Sequence, residues 1–252
     1  MQNQTNTQDR LDRRIAANRD GTRDMTAFLL ELAHPSGTDA VLDLGCGPGT
    51  QVTRLAPLVK SVLALDISEE LLAAFSKRLG DHKNVELMAS SMDDAAGRLS
   101  GRRFDLIQAV YSIYYSNDLG RLIGDIAHRL LAPGGRFLTI SPDAGNNAEW
   151  YEDLCRIFPL DPDIIRTSDI SRRISGLVLD NFDDVRCVRF VNEIRDQTLA
   201  DVMAYYDGCG AYCPALHRSA AEAYFTGRFE ADGHYSIIKR ALAIIAKGPS
   251  EG

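Results

Sequence analysis

Val41-Leu42-Asp43-Leu44-Gly45-Cys46-Gly47-Pro48-Gly49 is the stretch that decides how the chain is read. Residues 40–44 form a short apolar run interrupted by one acid, a strand pattern bounded by a turn. Gly45 and Gly47 let the backbone bend and approach a ligand where a Cβ would collide. A helix then follows, and its N-terminus offers unpaired N–H groups. The spacing is G-x-G-x-G, with Thr50 where a dinucleotide pyrophosphate site has its third glycine. This counts against a nicotinamide cofactor and leaves a glycine turn with no ligand as the plain alternative.

The flanking sequence repeats the same alternation. Ser61–Asp66, Val85–Ala89, Phe104–Val110 and Arg136–Ile140 read as further strands. Between them, Ser68 caps a helix to about Leu79, with Glu69 and Glu70 at its positive end. Asp118–Leu131 reads as a helix closed by Ala132-Pro133-Gly134-Gly135. Strands alternating with helices of this length predict a mostly parallel, doubly wound α/β sheet covered on both faces. Upstream, residues 1–8 are polar and read as a frayed end, residues 9–24 have moderate helix propensity, and Met25, Phe28, Leu29 and Leu32 recur at helical spacing. Beyond residue 143 the regularity fades. Residues 147–158, 163–177, 198–206 and 215–226 read as helices, and Val185–Val191 and Ser236–Ala246 as strands.

The bulk properties narrow the function. The 252 residues carry 28 basic and 35 acidic side chains, a net charge of -7. That balance disfavours a nucleic-acid groove binder, which needs a basic footprint. No apolar run is long enough for a membrane helix, and the first ten residues lack the apolar core of a secretory signal. Five cysteines without paired spacing fit a reduced, cytoplasmic protein rather than a disulfide framework.

Asp66 ends the second strand, 21 residues past Gly45. In a doubly wound sheet its carboxylate then lies beside the first loop, where it can take two hydrogen bonds from a ribose diol; the alternative is a cap for the helix after Ser68. With these residues in view, the chain resembles the class I S-adenosylmethionine-dependent methyltransferases. The resemblance rests on V-L-D-L-G-C-G-P-G, V-L-A-L-D-I-S, R-F-D-L-I-Q-A-V and L-L-A-P-G-G-R-F-L-T-I, arriving in family order across residues 38–143.

The resemblance implies a seven-stranded sheet of order 3-2-1-4-5-7-6 with strand 7 antiparallel, a helical cap, and S-adenosylmethionine as cofactor. It implies that Asp43 and the Gly45 backbone face the methionine part, with Cys46 in the same loop, and that Gly47 makes room for the cofactor. Asp66 would hold the ribose, Ile67 would cover an adenine face, and Met92 would give its N–H to the ring. Ser91 stands where the family usually has an acid, so the adenine contact is open between Ser91 and Asp93. Ala109 and Val110 end strand four, where a carbonyl meets the cofactor's ammonium. By this reading residues 1–37 are N-terminal lid helices, 38–143 the cofactor core, and 144–252 the completed sheet with inserted cap helices.

The acceptor is read from what is present and what is not. The N6-adenine motif after strand four is replaced by V-Y-S-I-Y-Y-S-N, and acidic metal ligands of the catechol type have no match. Tyr111, Tyr114 and Tyr115 follow strand four, at the edge where open sheets bind ligands. Tyr205, Tyr206 and Tyr212 lie in the late segment; all six are substrate-binding candidates, with core packing as the alternative. His217, His234 and Tyr115 are candidate bases, unranked. No metal is expected, because Pro214 interrupts the Cys209, Cys213, His217 spacing and no fourth ligand is evident. His128 falls off its helix's apolar stripe and reads as a surface residue. The expectation is methyl transfer to an O or N atom of a small molecule, with no nucleic acid or membrane partner. C-methylation and a non-catalytic cofactor-binding subunit are the alternatives. The acceptor and the oligomeric state are not legible.

Overall fold

The computed structural model describes residues 21–80, 82–160, 167–196, 198–209 and 213–249. In chain order these form α1 (Met25–Ala33), β1 (Ala40–Leu44), α2 (Thr50–Leu55), β2 (Ser61–Asp66), α3 (Glu69–Arg78), β3 (Val85–Ala89), α4 (Ala95–Arg98), β4 (Phe104–Val110) and α5 (Leu119–Asp125). There follow β5 (Leu131–Pro142), α6 (Ala148–Ile157), α7 (Thr167–Leu179), β6 (Phe182–Asp196), α8 (Leu199–Gly208), α9 (Arg218–Asp232) and β7 (Tyr235–Pro249). The seven strands make one sheet in the order β3-β2-β1-β4-β5-β7-β6, with β7 antiparallel, as the resemblance implies. The pairs β1–β2, β1–β4, β2–β3 and β4–β5 are parallel.

Local chemistry explains the boundaries. Ser68 caps α3 by accepting the Leu71 N–H, and Asp118 caps α5 by accepting the Arg121 N–H. The expected helix over Asp118–Leu131 is shorter: it ends at Asp125 and continues as a π turn over Ile126–Leu130. The fifth strand correspondingly starts at Leu131 rather than Arg136. Leu131 pairs with Phe104, and the ladder then shifts register before Leu106 pairs with Arg136, so Pro133-Gly134-Gly135 is taken up as a bulge. The last two strands are longer than their apolar stretches suggest.

The chain divides into two compact units. One, here the sheet unit, comprises Met25–Ser141, Ile170–Arg189 and Leu242–Gly252. Its core joins Leu42, Leu44, Leu63 and Leu65 from β1 and β2 to Ile107, Ile123, Phe137, Ile174 and Ile244. The other, here the aromatic unit, comprises Met1–Asp24, Pro142–Asp169 and Phe190–Ala241. Trp150 is its centre, packed on Tyr205, Phe225 and Tyr235 at ring-centroid distances of 5.0, 5.2 and 6.2 Å. The expected helix over residues 9–24 falls mostly outside the described residues; Gly21 bridges Ile194 of β6 as an antiparallel strand would.

Candidate cofactor site

Within the sheet unit, four parallel strands bring their carboxyl ends to one edge. The Gly45 and Cys46 N–H groups donate to the Leu65 carbonyl at 2.7 and 3.0 Å, fastening the turn after β1 onto β2. The Gly47 N–H donates to Asp66 Oδ2 at 2.8 Å, and Asp66 Oδ1 accepts the Ser68 N–H at 2.9 Å. Ser112, after β4, donates to the Leu44 carbonyl at 2.5 Å. Asp93 accepts from Ser116 Oγ and from the Asn117 N–H, tying the turn after β3 to the loop after β4.

Glycine is required here by backbone and neighbours together. Gly45, Gly47 and Gly49 have φ of 76, 54 and 81°, the left-handed region. A Cβ on Gly45 would stand 2.5 Å from the Ser112 Cβ, and one on Gly49 would enter the Phe75 ring. Gly49 is therefore demanded by the protein's own packing, while Gly45 lies between that packing and the open edge.

Asp43 is the electrostatic centre. Its side chain is buried at 2 % exposure, and Gln108 Nε2 donates to its Oδ2 at 3.0 Å. Burial pushes its pKa up from 3.8 to about 7; the Gln108 bond opposes this and the nearby Asp66 charge adds to it. Gln108 was not singled out in the sequence, although it is the polar break in an apolar strand; the β1–β4 register sets it opposite Asp43. Cys46 is buried beside these acids, and burial followed by the Asp43 and Asp66 charges pushes its thiol pKa up, away from a reactive thiolate.

The other expected cofactor residues lie along the same edge. Ile67, next to Asp66, is 62 % exposed, an apolar side chain with nothing of its own to cover. Ser91 caps the turn over Met92–Asp94 by accepting the Asp93 N–H at 3.2 Å. For Asp93, burial raises the pKa, but hydrogen bonds from Ser116, Asn117 and Asp118 outweigh it and hold the carboxyl below its ordinary value. Asp93 is thus engaged with the β4 loop. Ala109 is buried and its carbonyl accepts Thr139 Oγ1 at 2.9 Å; Val110 follows, half-buried.

The donor set fits the adenosyl cofactor. Each Asp66 oxygen takes one N–H and retains a second lone pair for a diol. The buried Asp43 carboxyl would be relieved by a cation, and Ile67 offers an apolar face.

The tyrosines divide between the units. Tyr111 follows β4 with φ +52°, a conformation that an aromatic residue adopts only under constraint, and burial pushes its phenol pKa up. Tyr114 packs on the core, and its ring lies 4.6 Å from that of Tyr115, which is 52 % exposed. In the aromatic unit, Tyr205 and Tyr206 are buried, and the Tyr206 hydroxyl donates to the Pro214 carbonyl at 2.8 Å. Tyr212 lies outside the described residues. His217 stacks on Phe158 at 4.7 Å, and His234 Nδ1 is 3.0 Å from the Asp232 carbonyl. Cys209 and Cys213 are buried, and among the described residues no three His, Cys, Asp or Glu side chains gather as a metal site. Among the described residues no helix is long and apolar enough to cross a membrane.

Comparison with known proteins places this geometry. Residues 41–135 match the family model described as a methyltransferase domain. A malonyl-[acyl-carrier protein] O-methyltransferase of Pseudescherichia vulneris is 31 % identical over 45 % of this chain and 43 % of its own length. The chain spans about half the length of the curated relatives it matches. The crystal structure of the Bacillus subtilis YcgJ protein superposes with a TM-score of 0.64 at 18 % identity, over 90 % of this chain and 98 % of that one. The N-methyltransferase NodS of Bradyrhizobium japonicum, in complex with S-adenosylhomocysteine, superposes with a TM-score of 0.54 at 16 % identity, over 94 % and 99 %. Residues 41–135 thus match a methyltransferase domain, and the strand order that extends them is the one implied by the resemblance to the class I S-adenosylmethionine-dependent methyltransferases.

Proposed function

We propose that the chain binds S-adenosylmethionine at the carboxyl edge of β1–β4 and transfers its methyl group to an O or N atom of a small organic molecule. The observation that carries this is Asp43: a buried carboxyl, 2 % exposed and held near neutrality by its surroundings, at the base of a glycine turn. Such a group is stabilised in its charged form by a cation, and the cofactor's methionine end carries an ammonium. Asp66 would take the ribose hydroxyls, Ile67 and Ser91 the adenine, with the Met92 N–H on the ring, and Gly45, Cys46 and Gly47 the close backbone approach. Ala109 and Val110 would supply a carbonyl to the ammonium.

The cofactor supplies an electrophilic sulfonium methyl. The protein's task is then to hold an acceptor lone pair in line with the S–C bond and to keep water away. Tyr111, Tyr114 and Tyr115 offer the aromatic surface on this edge, and Tyr115 is the exposed hydroxyl among them. Acceptors of both kinds occur in the proteins compared, one named an O-methyltransferase and one an N-methyltransferase.

The test is methyl transfer from labelled S-adenosylmethionine to a panel of small phenols, carboxylic acids and amines, read by mass spectrometry. Label on an O or N atom of one class supports the reading. Label on carbon, on nucleic acid or on protein, or no label with any class, counts against it.

A further inference from the structure

Two polar side chains face each other inside an otherwise apolar part of the sheet. The β1–β4 register sets Asp43 opposite Gln108, and Gln108 Nε2 donates to Asp43 Oδ2 at 3.0 Å. They are 2 % and 4 % exposed. Leu42 and Leu44 flank the one, Ile107 and Ala109 the other, and all four are fully buried. On its other side Asp43 pairs with Ala64 of β2, whose methyl offers no hydrogen bond. An apolar pair of the same shape would serve the packing about as well, so the sheet alone gives no reason for a polar one.

The kind of donor is informative. An Arg or Lys at position 108 would orient the carboxyl and also cancel its charge. A Gln amide orients it and leaves the charge uncancelled. Among the described residues no basic side chain pairs with Asp43. The titratable groups that face it are Asp66, from the end of β2, and the Cys46 thiol, from the turn after β1; β4 presents the neutral Gln108. Asp66 adds negative charge, and the thiol is pushed up by burial and stays neutral, so neither supplies a cation. The carboxyl is therefore held in place yet half-protonated near neutrality, with its pKa at about 7.

We infer that Gln108 is a positioning residue of the cofactor site: it holds the Asp43 carboxyl without neutralising it, so that Asp43 gives up its proton as the cofactor's ammonium binds. The proton passes to the buffer, and the ammonium keeps all of its own. The inference rests on the proposed function for the identity of that cation.

S-adenosylhomocysteine carries the same ammonium. It is titrated by calorimetry into the full chain in phosphate and in imidazole, whose heats of ionisation differ, so that the difference counts the protons released. At about pH 7 the wild type should release about half a proton per ligand bound. Its affinity should fall roughly eightfold from about pH 7.5 to about pH 6, because only the ionised fraction of Asp43 is competent. Gln108→Leu, checked for folding by circular dichroism, loses the bond that favours the ionised form, so its release at about pH 7 should rise towards one proton. Gln108→Met repeats the test with an unbranched chain. Asp43→Asn has no proton to give; it should release none, and its affinity should be flat across the same range. A Gln108 that is merely structural would lower affinity equally at every pH and leave the proton count unchanged. That result overturns the inference, as does wild-type binding without proton release, and either leaves the proposed function standing. Absence of binding at every pH overturns both.

Discussion

Asp66 Oδ2 accepts the Gly47 N–H at 2.8 Å, so the carboxylate read as a ribose ligand also braces the loop that the ligand must approach. Its second oxygen accepts the Ser68 N–H, which fixes the carboxyl plane against the start of α3. One side chain therefore ties the first loop to the start of α3 and keeps a second lone pair on each oxygen. Such preorganisation lowers the ordering cost of binding.

The three loop glycines should separate by experiment. Gly49→Ala places a Cβ inside the Phe75 ring at φ +81° and should destabilise the fold. The backbone alone costs about 1–2 kcal/mol in the left-handed region. Gly47→Val bears the cost of a positive φ of 54°, and the folded variant should have lost cofactor binding, because its side chain occupies ligand space. Thermal melts and calorimetry on both variants check this. A Gly49→Ala melt equal to wild type, or normal cofactor affinity in Gly47→Val, would contradict it.

Asp43 makes stability depend on pH in an unusual direction. Its folded pKa, about 7, lies above the ordinary 3.8, so the folded state holds this proton more tightly than the unfolded state. Its contribution is fully present below about pH 4 and is lost as the pH climbs to about 7. Asn at this position stays neutral and can still accept from Gln108. Asp43→Asn should be more stable than wild type at about pH 8, with little difference at about pH 4. Urea unfolding across that range is the measurement; equal stability of the two proteins at the upper end would remove the effect.

Much of the sheet unit is legible because its signals are local. Apolar runs bounded by glycine or a capping residue define β1 to β4 and α3. The places of the candidate residues on that edge are legible for the same reason, since each lies at a strand end or in the turn after it. The start of β5 is less legible, because a Pro-Gly-Gly stretch that reads as a helix stop is absorbed in the ladder by the pairing of Leu131 with Phe104. Gln108 and Ser112 are hidden because their partners, Asp43 and Leu44, are 65 and 68 residues away.

Asp153 illustrates a role that spacing does not reveal. It sits buried on α6 and accepts from the hydroxyls of Tyr224 at 2.6 Å and Tyr235 at 2.8 Å, and from Arg228 at 3.2 Å and Arg156 at 2.6 Å. Asp153→Ala leaves the buried Tyr235 hydroxyl without its acceptor and should cost about 1–3 kcal/mol. Arg156→Ala removes only a 57 % exposed partner, so a much smaller loss is expected. Chemical denaturation of the two variants is the check, and similar losses would mean that the carboxylate is not the hub.

The central claim, that the β1–β4 edge holds the adenosyl cofactor through Asp66, is tested most directly by calorimetric titration. S-adenosylmethionine, S-adenosylhomocysteine and NAD are each titrated into the full chain and its Asp66→Ala variant. The account predicts one-to-one binding of the two adenosyl compounds and none of NAD. It predicts at least a tenfold weakening in Asp66→Ala, since hydrogen bonds to a charged group contribute about 1.5–3 kcal/mol each. Unchanged affinity in a folded Asp66→Ala, or binding of NAD in place of the adenosyl compounds, would contradict it.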